Sequence, residues 1–202
     1  MPNFEDTPRR LAILGAAYAV LMEQGYAGAN TLEIARRAKV SKRELYAEFG
    51  NKAGILEALI AATAARMQVP LTVPDITSAD AFATALAAYG VAALTELTSP
   101  HVIAINRLAV AEAGRSSDLG RILDQQGRES NRRALVALVG KAQAAGVLKG
   151  GDAGVIAGQF FALLTGDLAM RLMLGVIKRP QVKEIRRRAE MATDSVLRLH
   201  GV

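Results

Sequence analysis

Asn30-Thr-Leu-Glu33-Ile-Ala-Arg-Arg-Ala-Lys39-Val-Ser41-Lys-Arg-Glu44-Leu-Tyr-Ala-Glu-Phe49 is the stretch on which the fold turns. Asn30 and Ser41 are residue types whose side chains accept from the free N–H groups of a helix start. Each is followed three residues later by a glutamate, Glu33 and Glu44, able to return a bond to the cap backbone. Two short helices are therefore expected, joined by Ala38-Lys39-Val40. Helices linked this closely cannot lie antiparallel and must cross steeply. Ile34, Ala35, Val40, Leu45 and Phe49 supply the apolar contacts for that crossing. The expectation is a helix-turn-helix.

Charge gathers on the same stretch. Across residues 36–52, Arg36, Arg37, Lys39, Lys42, Arg43 and Lys52 face only Glu44 and Glu48. Lys42, Arg43 and Glu44 fall in the first turn of the second helix, the part of such a motif that enters the major groove. Arg43 has the geometry to give guanine two hydrogen bonds, and a Glu44 carboxylate accepts from a cytosine amine. Capping competes with base reading for Glu44. Tyr46 and Lys52 suit phosphate contact, as do the backbone amides at helix starts. Asn30 and Thr31 are expected first as helix-start residues, a role compatible with touching phosphate.

Outward from the motif, every convincing segment has helical period, and none alternates like a strand. A first helix is expected from about Pro8 to Gln24, with Leu11, Leu14, Tyr18 and Leu21 as its stripe and Gly25 as its end. A helix from Lys52 to about Met67 follows the motif. The linker Val69-Pro-Leu-Thr-Val-Pro-Asp75 marks a boundary between a 1–66 head and a 67–202 body. In the body, helices are expected from Ser78 to about Leu97 and from Pro100 to about Ala113. A long helix or broken pair should run from Ser116 or Ser117 to Gly146, another from Asp152 to about Lys178, and a basic one from Pro180 to about Leu199. The reading is all-α, about nine helices, with a three-helix head.

Composition bounds the chemistry. The 202 residues carry 25 Lys+Arg against 19 Asp+Glu, with no cysteine, no tryptophan and two histidines. Disulfides, thiolate metal sites and thiol nucleophiles are excluded, and a histidine metal site is not expected. Residues 67–176 balance nine basic against nine acidic side chains, whereas 177–202 hold seven against three. A neutral middle suits a core or a small-molecule cavity, and basic ends suit polyanions. No phosphate-binding glycine loop or nucleophile elbow appears, so neither an enzyme nor a cofactor is expected. Arg9-Arg10 before an apolar run imitates an export signal, but Glu5 and Asp6 cancel its charge. Gln159, Asp167 and Arg171 interrupt the apolar run from Val155 to Ile177, so no membrane span and a cytoplasmic location are expected.

With these residues in view, the chain resembles a known family. Ile13-Leu-Gly-Ala-Ala17, Glu23-Gln-Gly-Tyr26, Glu33-Ile-Ala35, Val40-Ser-Lys42, Leu45-Tyr46, Phe49, Lys52 and Leu56 look like the N-terminal domain of TetR-type regulators, in register across residues 8–60. Arg107-Leu-Ala-Val-Ala-Glu-Ala113 and Leu163-Leu-Thr-Gly-Asp-Leu168 are similar to the AefR-like branch. The resemblance implies all-α homodimeric transcription factors, usually repressors released from operator DNA by small ligands, with the last two helices forming the dimer interface. The Gly-Thr pair common after Ser-Lys is replaced by Arg43-Glu44, so no operator sequence transfers.

Two further sets of residues follow. A ligand cavity is expected with Phe82, Tyr89 and Phe160 as walls and Asn106, Arg107, Gln159 and Asp167 as anchors. Asp167 and Arg171, four apart, otherwise form an ion pair. A dimer face is expected on residues 152–178 and 181–200, from small Gly154, Ala157 and Gly158 beside Phe161, Leu164, Leu168 and Leu172, and from Ile185, Ala189, Ala192, Val196 and Leu199. The alternatives are an activator on the same scaffold, or a helical small-molecule binder or enzyme whose head is not used on DNA.

Overall fold

Thr7 accepts from the Arg10 N–H at 3.2 Å and Pro8 occupies the first helical turn, which starts α1 (Pro8–Gly28). The computed structural model describes residues 7–72 and 75–202; Glu5, Asp6 and part of the expected linker, Val73 and Pro74, lie outside them. The buried face of α1 is Ile13, Leu14, Ala17, Val20 and Leu21, and Leu11 points to solvent. Gly25 interrupts the helix at φ 70°, but the chain resumes helical geometry to Gly28.

α2 (Thr31–Ala38) and α3 (Lys42–Phe49) follow with Asn30 and Ser41 as their caps, but Glu33, expected to return a bond to Asn30, is held instead by Arg36 and Arg37, and only Glu44 completes a capping box. Lys39 between them adopts the left-handed conformation at φ 55° and ψ 40°. There the Val40 N–H donates to the Ala35 carbonyl at 3.0 Å and the Lys39 N–H to Arg36 at 3.3 Å, the paired bonds of a left-handed helix stop. Gly50 ends α3 at φ 73°, and the Asn51 side chain receives the Gly54 N–H as α4 (Lys52–Gln68) begins.

Beyond α4 come α5 (Ala79–Leu97), α6 (Pro100–Glu112), α7 (Asp118–Ile122), α8 (Ser130–Ala144), α9 (Ala153–Thr165), α10 (Leu168–Met173) and α11 (Val182–His200). A π-helical stretch, Leu123–Glu129, separates α7 from α8, so the tract expected from Ser116 to Gly146 is a broken one. The helix expected from Asp152 to Lys178 is broken too, at Gly166 with φ 48°. The chain is all-helical, and its one bridge among the described residues pairs Leu148 with Gly201.

Two compact units form. The first comprises the chain up to Ala62 and Ile105–Gln126; the second comprises Thr63–Ala104 and Gly127–Val202. This division differs from the linear one at 66/67, because residues 105–126 complete a core with α1 and α4. Leu21, Leu56 and Ile60 pack there against Ile105, Leu119 and Ile122. A second cluster in that unit, Ile13, Leu14, Ala17, Ile34, Leu45, Phe49 and Ile55, holds α1, α2 and α3 together.

In the second unit, α5 lies against α11 with Gly90 at the contact. A Cβ on Gly90 would stand 2.9 Å from the Ala189 Cβ, so glycine permits the close approach. Phe82, Leu86, Tyr89, Leu138, Ile156, Phe160, Leu164, Ile185 and Val196 fill the core. No single helix among the described residues is long and apolar enough to cross a membrane.

Candidate nucleic-acid interface

The start of α3 is fixed by a complete capping box. The Glu44 N–H donates to Ser41 Oγ at 3.1 Å, and the Ser41 N–H donates back to Glu44 Oε2 at 2.8 Å. The Ser41 hydroxyl also donates to Oε2, at 2.8 Å. Glu44 Oε1 accepts from Arg9 Nη2 at 2.6 Å. The Ser41 N–H, then the Ser41 hydroxyl and the Arg9 charge, hold the Glu44 carboxyl below its ordinary range, so it is ionised at neutral pH.

Asn30 caps α2 by accepting from the Leu32 N–H at 2.8 Å. Thr31 Oγ1 and the Tyr46 hydroxyl lie 2.9 Å apart, tying the start of α2 to α3. The Lys42 ammonium rests 5.5 Å over the Tyr46 ring. Arg43 is exposed and makes no hydrogen bond or ion pair among the described residues. The structure thus brings Thr31 to Tyr46, Lys42 over the same ring, and Ser41 to Glu44, with Asn30 capping the start of α2 and Arg43 exposed in the first turn of α3.

Much of the basic charge on this stretch is already spent. Arg36 donates twice to Glu33, at 2.7 and 2.8 Å. Arg37 holds Glu33 at 2.7 Å and both oxygens of Glu23 at 2.6 Å. These arginines, Arg36 first, depress the Glu33 carboxyl to about 2. Lys52, expected on phosphate, donates instead to the Tyr26 carbonyl at 2.8 Å and lies 4.7 Å over the Tyr26 ring. An ammonium satisfied by carbonyls at the end of α1 stabilises that helix end. Across residues 36–52, Lys39, Lys42 and Arg43 remain as the cations with neither a carboxylate nor a carbonyl partner among the described residues.

Sequence reading missed Arg9 and Arg10. They sit in the first turn of α1 and hold Glu44 and Glu48, four apart on α3, at 2.6 and 3.0 Å. Adjacent arginines facing two carboxylates at helical spacing were a usable signal, but only once the two helices were known to lie side by side.

The expected cavity is not assembled. Phe82, Tyr89 and Phe160 are buried side chains of the packed core, the last two with ring centres 6.2 Å apart. Burial raises the Tyr89 hydroxyl pKa above its ordinary value. Gln159 is exposed and bonds His200 at 2.6 Å; Asp167 is exposed and lies 3.7 Å from Arg171. Asn106 and Arg107 belong to the first unit. A concavity of about 350 Å³ lies elsewhere in that unit, between α6 and the π-helical stretch, lined by Ala109, Ala113, Ser117, Gly120, Arg121, Asp124 and Gln125.

Most of the expected dimer stripe is buried within the second unit. Ala157, Leu164, Leu168, Ile185, Ala189, Ala192 and Val196 are buried in their own unit, and Gly154 and Phe161 are half-buried. Of the expected set, Gly158 and Leu199 are exposed and Leu172 is buried. The outward face of α9 is also apolar, whereas α11 turns Lys183, Arg186, Arg187, Glu190, Asp194 and Arg198 outward with Met191 among them. Val155 is 55% exposed, Leu163 49% and Met191 55%, beside exposed Ala162.

Comparison with known proteins extends this geometry. The family of bacterial regulatory proteins, tetR family, matches residues 13–59, and the AefR-like transcriptional repressor C-terminal domain matches residues 84–202. Two uncharacterized HTH-type transcriptional regulators of Bacillus subtilis (strain 168) are similar. YdeS is 38% identical over 89 residues, and the match spans 44% of each chain. YvkB is 29% identical over 178 residues, 87% of this chain and 90% of its own. A TetR transcriptional regulator from Agrobacterium tumefaciens shares 31% identity over 97% of this chain and 96% of its own, at TM-score 0.79. The flavonoid-responsive regulator FrrA shares 28% over 96% and 97%, at TM-score 0.73.

Proposed function

The chain belongs to the TetR family of transcriptional regulators, and on that premise we propose that it is a homodimeric repressor that binds an inverted-repeat operator and leaves it when a small apolar or amphipathic molecule binds. The observation that carries the DNA reading is Arg43. It stands unpartnered among the described residues in the first turn of a firmly capped α3, where base edges are met. Lys39 and Lys42 flank it as phosphate contacts, and Tyr46 is held in place by Thr31.

The dimer reading rests on the outward face of α9. Val155 and Leu163 are exposed there, with Gly158 and Ala162 small enough for close helix approach. Repression is favoured by the body's match to a repressor domain, and a small effector by the likeness to a flavonoid-responsive regulator. Such a ligand must bind the DNA-incompatible arrangement better than the competent one, and operator must then weaken ligand binding by the same factor.

The test is binding to a duplex selected from a random-sequence pool, measured at two salt concentrations with and without a flavonoid. Selective, salt-dependent binding to an inverted repeat supports the reading. Equal affinity for the selected and a scrambled duplex overturns it.

A further inference from the structure

One oxygen of the Glu44 carboxylate is structural and the other is not. Oε2 is taken by the Ser41 N–H and hydroxyl inside the capping box. Oε1 accepts from Arg9 Nη2 across a surface where the two side chains remain 59% and 41% exposed. The neighbouring pair is built differently. Arg10, whose side chain is 11% exposed, donates to Glu48 and stacks 4.9 Å over the Phe49 ring. Arg10 is an anchor between α1 and α3. Among the described residues Arg9 is held only by an exposed ion pair of a kind that solvent and competing partners exchange readily.

Glu44 follows Arg43 in the first turn of α3, within the part of the helix that meets base edges. A carboxylate there accepts from the N4 amine of cytosine. It repels the acceptor atoms of guanine and thymine, and it repels phosphate. The Arg9 guanidinium cancels that repulsion while it occupies Oε1.

We infer that Arg9 is a specificity-determining residue of the operator site, covering Glu44 Oε1 when the facing base presents only acceptors, as guanine and thymine do, and yielding it when the base offers an amine, as cytosine does. The inference rests on the DNA-binding reading above. The exchange needs no proton transfer, because an N4–H donor replaces an Nη2–H donor on the same oxygen. The displaced guanidinium, already at the surface, is then available to phosphate. Arg9 thereby softens a base preference that Glu44 alone would impose sharply.

Arg9→Ala should therefore sharpen discrimination for cytosine over guanine and thymine at the base facing Glu44 by about tenfold, chiefly by weakening binding to those two, which present only acceptors; adenine, with its N6 amine, should fall less. Glu44→Gln keeps a capping acceptor but turns an amide N–H₂ outward, and its preference should move to bases presenting acceptors. In that background Arg9→Ala should leave base choice unchanged.

The experiment uses the full chain and a duplex selected from a random pool by the wild-type protein, with all four bases installed at each half-site position. Affinities are measured for wild type, Arg9→Ala, Glu44→Gln and the double variant at one salt concentration, after checking that thermal unfolding of Arg9→Ala matches wild type. Sharpened preference for cytosine over guanine and thymine in Arg9→Ala, absent from the double variant, is the expected result. Equal weakening of all four bases by Arg9→Ala overturns the inference while leaving DNA binding standing. Failure of the wild type to select any sequence overturns the DNA-binding reading itself.

Discussion

The Lys52 ammonium donates to the Tyr26 carbonyl oxygen at 2.8 Å, so the first residue of α4 closes the end of α1. It reaches the Ala27 carbonyl at 3.4 Å as well and covers the Tyr26 ring. Three features of one lysine are thus spent inside the first unit.

Lys52→Met should lower stability by about 1–2 kcal/mol, the worth of a partly exposed charge-assisted hydrogen bond. DNA affinity should fall with it, but the slope of log affinity against log salt should stay at the wild-type value. A lysine bound to phosphate would instead take about one unit from that slope. Denaturant unfolding and salt-dependent DNA titration of the same variant separate the two roles.

Lys39 is a non-glycine residue held at φ 55°, a conformation that costs an L-residue about 1–2 kcal/mol. Lys39→Gly should raise stability by about 1 kcal/mol and weaken DNA binding at the same time. Lys39→Ala should weaken binding equally without the gain in stability. Loss of stability in Lys39→Gly would show that the ammonium has a structural partner.

Glu33 holds the Arg36 guanidinium in two hydrogen bonds. Its carboxyl sits at about 2 instead of 4.5, through Arg36 first and Arg37 second. A depressed carboxyl contributes stability that is fully present above pH about 4.5 and is lost as pH falls toward 2. Glu33→Gln should remove that acid-side dependence between pH 4.5 and 2. At neutral pH it should free Arg36, strengthen binding to non-specific DNA and steepen the salt slope by about one. An unchanged slope would mean that Arg36 does not reach phosphate.

What was legible in the sequence was local. Asn30, Ser41 and Glu44 declared themselves because a cap and its partner lie within three residues, and the structure shows each bond. The partners of Lys52 lie 25 and 26 residues away, and those of Arg9 and Arg10 lie 35 and 38 away, so no spacing rule reaches them. Helical period found the apolar stripe of α11 but could not say which neighbour it faced. Ile185, Ala189 and Val196 turned out to pack on their own unit. α9 is apolar on both sides, with Ile156 and Phe160 inward and Val155 and Leu163 outward, so periodicity had no contrast to read. Aromatic Phe82, Tyr89 and Phe160 were placed on a cavity because size and polarity do not distinguish a wall from a core.

The outward face of α9 gives a direct test of the dimer. Leu163→Glu should leave the helical circular dichroism intact and yield a monomer at micromolar concentration. Ala157→Arg is no substitute, because Ala157 is 1% exposed and an arginine there would disrupt the second unit itself. A stable dimer in Leu163→Glu would move the interface off this face.

The most direct measurement is the affinity of wild type and Arg43→Ala for a duplex selected from a random pool by the wild type, with each half-site base varied in turn. Arg43→Ala is expected to lose about 1–3 kcal/mol at one base position per half-site while the other positions keep their preferences. Equal loss across every variant duplex, or no loss at all, would contradict the assignment of α3 as the reading helix.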